Sequence, residues 1–391
     1  MHEAEGPTRT SMVVHAVGEA RARALEAIAA ADVLALDTEF HAERGYTPEL
    51  CLLQVHVEGQ GVWLFDPIRD PDFDGIAEAL CEKPWLVHAG RQDVHILARR
   101  WGRRPPRVID VQIAAGLITP HYPLGYAALL ERWLGRTVDK GMALSDWTRR
   151  PLRKEQVAYA AADVSFLPAV WSVLSEQLRA AQRHKAFEDC CAEALDAWSA
   201  PPTVAQRWSQ LEARDRLPSE AQAVLWALFE WREQEGMRLD RSPTKVLSDG
   251  LAIRLARWKP ASLKHLGLDR RMPRALLRRH GEALMAVFRA VAEGRVEHPD
   301  DLRPLTAEEA WRRDWLDLVA KGLSGVLDCS PGLLLPQQVR RAWIRKPPSS
   351  KDEVFKSLCA WRREMAGALL WRLWSGEAHL TPKVQTPFTV S

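Results

Sequence analysis

No run of about 18 consecutive apolar residues occurs in this 391-residue sequence, and no apolar stretch of signal-peptide type stands at its N-terminus. Neither a membrane-crossing segment nor export is therefore expected. Cysteine is sparse: Cys51, Cys81, Cys190, Cys191, Cys329 and Cys359 include no C-x-x-C pair, and the adjacent Cys190 and Cys191 are poorly placed to ligate one zinc together. The expectation is six reduced thiols in a cytoplasmic protein. Overall charge is also nearly absent, at +3. No heptad seam or large apolar stripe announces self-association, so the expected state is a monomer without an obligate protein partner.

The small net charge hides an asymmetry. Residues 1–200 hold 22 Lys and Arg against 28 Asp and Glu, a net of −6, whereas residues 201–391 hold 32 against 23, a net of +9. An acidic front and a basic back suggest chemistry in the first half and a grip on a polyanion in the second. The length implies two or three domains. Residues 20–31 read as a helix. VLALDTEF (33–40), CLLQVHV (51–57), GVWLFD (61–66) and LVHAG (86–90) read as strands, and DVHILARRWG (93–102) as a helix. VIDVQIAAGLI starts extended and turns helical at Asp110, and helical texture continues to about residue 197. Strands alternating with helices, then helices alone, imply a mixed sheet flanked by helices. SAPPTVAQ (199–206) reads as a linker. Two proline-punctuated helical stretches of similar size follow, 207–290 and 307–380.

The chemistry lies in carboxylates beside apolar runs. Strand alternation points Asp37 and Glu39 the same way and Thr38 the other. Tyr159 and Asp163 stand four apart in a helical context and share a face, with alanines around them leaving room for another element. Asp93 opens a helix after HAGRQ, where it also suits the first turn's partial positive charge. Acidic groups gathered without basic partners repel one another and call for hard divalent cations, Mg²⁺ or Mn²⁺, whose preferred donors are oxygens. A cage able to hold two such ions is suited to cutting phosphodiesters. Most of the 17 tryptophans fall in the second half at helical spacing, as core residues. Basic pairs among them, such as Arg278–Arg279 and Arg340–Arg341, are candidates for phosphate contact.

In their order and spacing these motifs resemble the DEDD exonucleases, in the branch that carries a tyrosine. The first motif, D-x-E after a strand, is matched by Asp37–Thr38–Glu39, the second by Asp93, and the third, Y-x-x-x-D, by Tyr159 and Asp163. DTEF, HAG-x-x-D and the run from Asp146–Trp147 through Arg150–Pro151–Leu152 and Gln156 to Val164 narrow the resemblance to the ribonuclease D family, over about residues 12–200. It implies an α/β ribonuclease H-like exonuclease domain (1–200), then two small all-α domains of the helicase-and-RNase-D C-terminal (HRDC) type, at 207–290 and, more divergent, at 307–380. It implies two divalent cations, one held by Asp37, Glu39 and Asp163, the other by Asp37 and more loosely Asp93, with Tyr159 orienting the attacking water. The implied substrate is RNA with a free 3′ end, tRNA precursors above all. Thr38, Phe40, His88, Lys140 and Arg150 are the candidates for substrate contact. One departure from the family pattern, Arg91–Gln92, lies beside the second motif rather than in it. Proofreading DNA exonucleases share these motifs, and nothing in the residues themselves reads a 2′-hydroxyl. A non-catalytic nucleic-acid binder is the other alternative, and the five intact residues argue against it.

Overall fold

The computed structural model describes residues 13–41, 45–138, 141–142, 145–200, 203–209, 211, 217–296, 305–381 and 389–390. The described residues fall into two compact units. The first holds the chain up to Phe40, Leu50–Ala200 and Trp311 onward; the second holds His41–Glu49 and Pro201–Ala310.

Six strands form the sheet of the first unit: β1 (Val13–His15), β2 (Leu34–His41), β3 (Glu49–Val57), β4 (Gly61–Phe65), β5 (Trp85–Val87) and β6 (Val108–Asp110), in the spatial order β1-β4-β3-β2-β5-β6. The β3–β4 pair is antiparallel, whereas β1–β4, β2–β5 and β5–β6 are parallel, so the sheet is mixed, as the sequence suggests. The β3–β4 turn uses Gly59 and Gly61 at φ +76° and +103°, a region that side chains with a Cβ avoid. Strand β2 is central, and Leu34, Ala35 and Leu36 are buried, which explains an apolar run in place of alternation. Only past Leu36 does the strand become polar. Its Asp37 and Glu39 thus emerge toward the ends of the parallel strands β2, β5 and β6, the edge at which open α/β sheets bind ligands.

Among the described residues of the first 200, the α-helices are α1 (Glu19–Ala30), α2 (Ala77–Cys81), α3 (Arg91–Trp101), α4 (Val111–Ile118), α5 (Tyr126–Leu134), α6 (Lys154–Ser165), α7 (Leu167–Ala180) and α8 (His184–Ser199). The switch at Asp110 follows the sequence reading: β6 ends there, and its carboxylate caps α4 by accepting from Gln112 N–H (2.7 Å) and Ile113 N–H (3.3 Å). Taken together, Lys154–Ala180 is long and apolar enough, by length and composition, to cross a bilayer. The apolar content has a use within the fold, since α7 buries Leu167, Val170, Leu174 and Leu178 and α6 carries Tyr159 and Asp163 into a cleft.

The chain from Trp311 onward is helical and joins the first unit through specific contacts. Arg183 donates to the carbonyls of Leu117 (2.5 Å), Leu327 (2.5 Å) and Asp328 (2.7 Å), Ser330 N–H donates to Gly116 O (2.7 Å), and Arg362 pairs with Glu193 (3.0 Å). Gly116 has no room for a Cβ, which would stand 2.7 Å from the Tyr122 ring and 2.9 Å from Leu333. The sequence treats 307–380 as a body of its own; bonds to backbone carbonyls, one glycine and the Arg362–Glu193 pair tie it to the exonuclease fold, and most of these carry no pattern. The second unit packs Leu225, Leu228, Leu255, Leu266 and Leu284 around Trp208, whose ring meets Trp226 and Phe229 edge-on at 5.7 and 5.8 Å. In the same unit the Tyr46 hydroxyl donates to Glu233, and Tyr46 N–H donates to Asp240 (3.0 Å). The tryptophans sort largely as expected: Trp208, Trp226, Trp343 and Trp361 are buried, while Trp311 is 65% exposed.

Candidate active site

Asp37, Glu39 and Asp163 each present a carboxylate oxygen within 4.8 Å of the others. Local geometry produces this. Period-2 alternation sets Asp37 and Glu39 on one side of β2, and α6 lies across them with Tyr159 and Asp163 one turn apart. Ala160 and Ala161 are buried, which lets the helix come close. The Tyr159 hydroxyl donates to the Asp163 carboxylate, and the Trp147 ring packs on Tyr159 at 6.1 Å between centroids. Gln156 anchors the start of α6: its amide oxygen accepts from Arg153 N–H (3.1 Å), and its amide nitrogen donates to Ser145 Oγ (3.0 Å) and Asp146 O (3.3 Å).

The electrostatics are those of carboxylates lacking counter-charge. Burial first, then Asp93, Asp163 and Glu39, pushes Asp37 well above the ordinary carboxylate range. Glu39 is pushed up to about 9 by burial, Asp163 and Asp93. Asp163 rises to about 7 through burial, against the opposing hydrogen bond from Tyr159. Asp93 rises to about 6, again through burial, with the Thr38 hydrogen bond pulling down. The largest influences on them are burial, one another and hydrogen bonds, and no lysine or arginine stands among these. Three hard oxygen donors converging without a cation fit a divalent ion of the Mg²⁺ or Mn²⁺ type.

Thr38, between Asp37 and Glu39 on β2, lines the same cleft and donates its hydroxyl to Asp93 at 2.5 Å. Asp93 is buried in the first turn of α3; it acts on Asp37 through space and stands outside the three-carboxylate cluster. His88 lines the cleft. Its Nε2 lies 2.8 Å from Leu124 O, which only accepts, so that nitrogen carries the hydrogen, and its ring packs on Tyr126 at 5.4 Å. The open cleft measures about 220 Å³ and is lined by Asp37, Thr38, Glu39, His88, Tyr126, Tyr159, Asp163 and Leu167. It is smaller than a typical pocket that engulfs a whole ligand, about 300–1,000 Å³, and suits the end of a chain. Phe40 is half-buried on β2 and is not among the cleft-lining residues. Lys140 lies outside the described residues.

Arg150 is not brought to the cleft. Its guanidinium grips Asp66 with two bonds (2.5 and 2.8 Å) and donates to the carbonyls of Cys51 (2.6 Å), Trp147 (2.7 Å) and Arg149 (2.8 Å). With only 8% of its side chain exposed, it has no donor to spare for a phosphate and instead braces the Asp146–Arg150 segment that carries Trp147. Arg150→Met is therefore expected to lower the stability of the first unit by about 2–3 kcal/mol, because it removes the charged partner of the part-buried Asp66 carboxylate, which keeps only Ile68 N–H and Arg69 N–H, and leaves the carbonyls of Cys51, Trp147 and Arg149 without that donor. Thermal melts check this; a melting temperature within a degree of wild type would refute the brace.

Sequence reasoning did not single out Tyr126, Leu167 or Asp110. Tyr126 reads as one more apolar position of an amphipathic helix, yet its hydroxyl donates to Ala162 O (3.0 Å), and burial, Asp163 and Asp37 hold its phenol well above the usual range. Asp110 did carry a signal, a lone acid at a strand-to-helix switch.

The chain is similar to known exonucleases in sequence and in fold. Residues 18–179 match the family model described as 3′-5′ exonuclease, and residues 221–288 match that of the HRDC domain. Ribonuclease D of Pseudomonas paraeruginosa is 30% identical, with 86% of this chain and 90% of that protein aligned. That of Cronobacter turicensis is also 30% identical, with 86% and 93% aligned. In fold, the chain is similar to the crystal structure of Escherichia coli RNase D, titled as an exoribonuclease involved in structured RNA processing, with a TM-score of 0.72 at 24% identity over 94% of this chain and 99% of that one. The catalytic core of RRP6 from Trypanosoma brucei gives a TM-score of 0.56 at 19% identity, covering 73% and 81%.

Proposed function

The chain belongs to the ribonuclease D family, and from that premise we propose that it is a 3′-to-5′ exoribonuclease that releases 5′-monophosphates from structured RNAs, tRNA precursors foremost. The convergence of the Asp37, Glu39 and Asp163 oxygens within 4.8 Å, with Tyr159 bonded to one of them, carries this reading. In it Asp37, Glu39 and Asp163 hold one divalent cation and Asp37 with Asp93 a second, Mg²⁺ or Mn²⁺. Such ions, when bound, supply an activated water and positive charge at the leaving oxygen.

The chain's own groups do the positioning. Tyr159, its phenol held above the ordinary value by burial and by Asp163, stays neutral; with its one hydrogen given to Asp163, its oxygen orients the water by accepting from it, and it does not act as a base. Its donation to Asp163 keeps that carboxylate's other oxygen turned toward Asp37 and Glu39. Thr38 holds Asp93 beside Asp37. His88 and Tyr126 line the cleft beside the carboxylates and are the candidates to meet the terminal sugar, and Phe40 is a candidate wedge against the last base. The HRDC domain at 207–290 and a divergent second one at 307–380 would add a salt-dependent, sequence-blind hold on RNA. The protein is read as a cytoplasmic monomer.

A time course on a 3′-extended tRNA precursor, beside single-stranded DNA of matched sequence, tests the reading. Stepwise shortening of the RNA in Mg²⁺, halted by EDTA and restored by Mg²⁺ or Mn²⁺, is the expected result. Equal or faster loss of the DNA, or recovery by zinc alone, would overturn it.

A further inference from the structure

Asp110 is 1% exposed and stands outside the acidic cleft, yet it is tied to it. The parallel register places Asp110 directly opposite Val87, the last residue of β5, and so beside the turn His88-Ala89-Gly90. Its carboxylate accepts from Ala89 N–H (3.2 Å) and Gly90 N–H (3.0 Å) on that side and from Gln112 N–H (2.7 Å) and Ile113 N–H (3.3 Å) on the other. Capping α4 uses only the last two. The first two hold a turn that has reason to relax: Ala89 sits at φ +55°, a conformation that residues with a Cβ rarely adopt. Gly90 has no freedom to compensate, since a Cβ there would stand 2.4 Å from Val87.

This turn delivers two groups. His88 leads into it and lines the cleft; Gly90 ends it as the residue before α3, whose first turn bears Asp93. Thr38 then links Asp93 to the strand segment between Asp37 and Glu39. We propose that Asp110 is a positioning residue for the reaction: by clamping the Ala89 and Gly90 N–H groups it fixes where His88 and Asp93 stand relative to Asp37. A carboxylate is needed because both of its oxygens accept. One takes Ala89, Gln112 and Ile113, the other Gly90. An amide puts an N–H₂ against one of these N–H groups.

The proposal rests on Asp93 being a metal ligand, and the test separates the two. Asp110→Asn and Asp110→Ser are prepared in the full chain; serine still caps α4 but does not reach the turn. Expected is a fall in kcat on a single-stranded RNA oligonucleotide of about 10- to 100-fold, with KM within about threefold. Calorimetric titration of the RNA-free protein with Mn²⁺ alone should show affinity weakened by about tenfold or more. Normal kcat and Mn²⁺ affinity, measured well below a lowered melting temperature, would make Asp110 merely structural and overturn the proposal. Where Asp110→Asn folds poorly, Ala89→Gly is added to remove the strain that the clamp opposes. Recovered melting with kcat still low supports positioning; kcat recovering along with melting overturns it, as does loss of the fold in all of these variants. A wild-type enzyme without metal-dependent shortening of RNA would instead sink the reading of Asp93.

Discussion

Asp37→Asn should reduce turnover by on the order of 10³-fold or more while making the metal-free protein more stable. The two effects share one cause. Asp37 stands where Asp93, Asp163 and Glu39 all act on it, and each raises its proton affinity. It is the one carboxylate shared by both proposed metal positions, so no neighbour substitutes for it. An asparagine keeps the volume and one carbonyl oxygen but offers no charge to a cation. It also removes a like-charge partner from Glu39, Asp93 and Asp163, whose repulsion opposes folding when no cation is present. The melting temperature of the metal-free variant should therefore rise by a few degrees, the stability–activity opposition expected of a strained site. Affinity for an RNA 3′ end, measured in EDTA, should stay within about twofold, since Asp37 repels phosphate more than it binds it. Single-turnover kinetics and paired melts decide the matter. Retained turnover would sink the metal assignment, and a lower melting temperature would sink the account of repulsion.

The parts of this site that were legible in the sequence are those fixed by local geometry. A D-x-E at the end of an apolar strand, and a tyrosine and aspartate four apart on a helix, announce shared faces without knowledge of the fold. Long-range pairing is where reading failed. Arg150 reads in sequence as a candidate for phosphate or sugar contact; its engagement with Asp66 and three carbonyls exists only after the chain folds back across 84 positions. Asp93 is legible as the second motif, but its hydrogen bond with Thr38, which spans 55 positions, is not. The attachment of Trp311 onward to the exonuclease fold runs largely through the carbonyls of Gly116, Leu327 and Asp328, which every residue possesses and no pattern can mark. The lesson of Asp110 differs. The switch from strand to helix at that residue was read from the sequence, its cap was not, and its second pair of acceptor bonds follows from the β5–β6 register, which sequence does not give.

Divalent metal should reverse the sign of the protein's response to alkali. Ordinary carboxylates in the unfolded chain titrate near pH 4, whereas in the folded, metal-free protein Asp163 is pushed up to about 7 and Glu39 to about 9, with Asp37 also raised. Between those limits the folded chain binds more protons than the unfolded one, so stability declines as pH rises through the window. His56 and His280, both lowered by burial, act in the opposite sense, but only below about pH 6.5, where the unfolded imidazole titrates. The buried thiols add a loss of the same sign as the carboxylates only above about pH 8.5. From about pH 6.5 to about 8.5, then, the acidic cluster governs the slope, and the melting temperature in EDTA should fall across it. A cation takes the place of those protons and binds only the ionised form, so its effect grows with pH. At about a hundred times its Kd, Mg²⁺ contributes about 2.7 kcal/mol to the unit that binds it, which amounts to several degrees. Melts at the two ends of the window, with and without MgCl₂, read both trends. A flat profile in EDTA would contradict the raised carboxylates, and an Mg²⁺ shift equal at both ends would mean that the ion binds somewhere other than Asp37, Glu39 and Asp163.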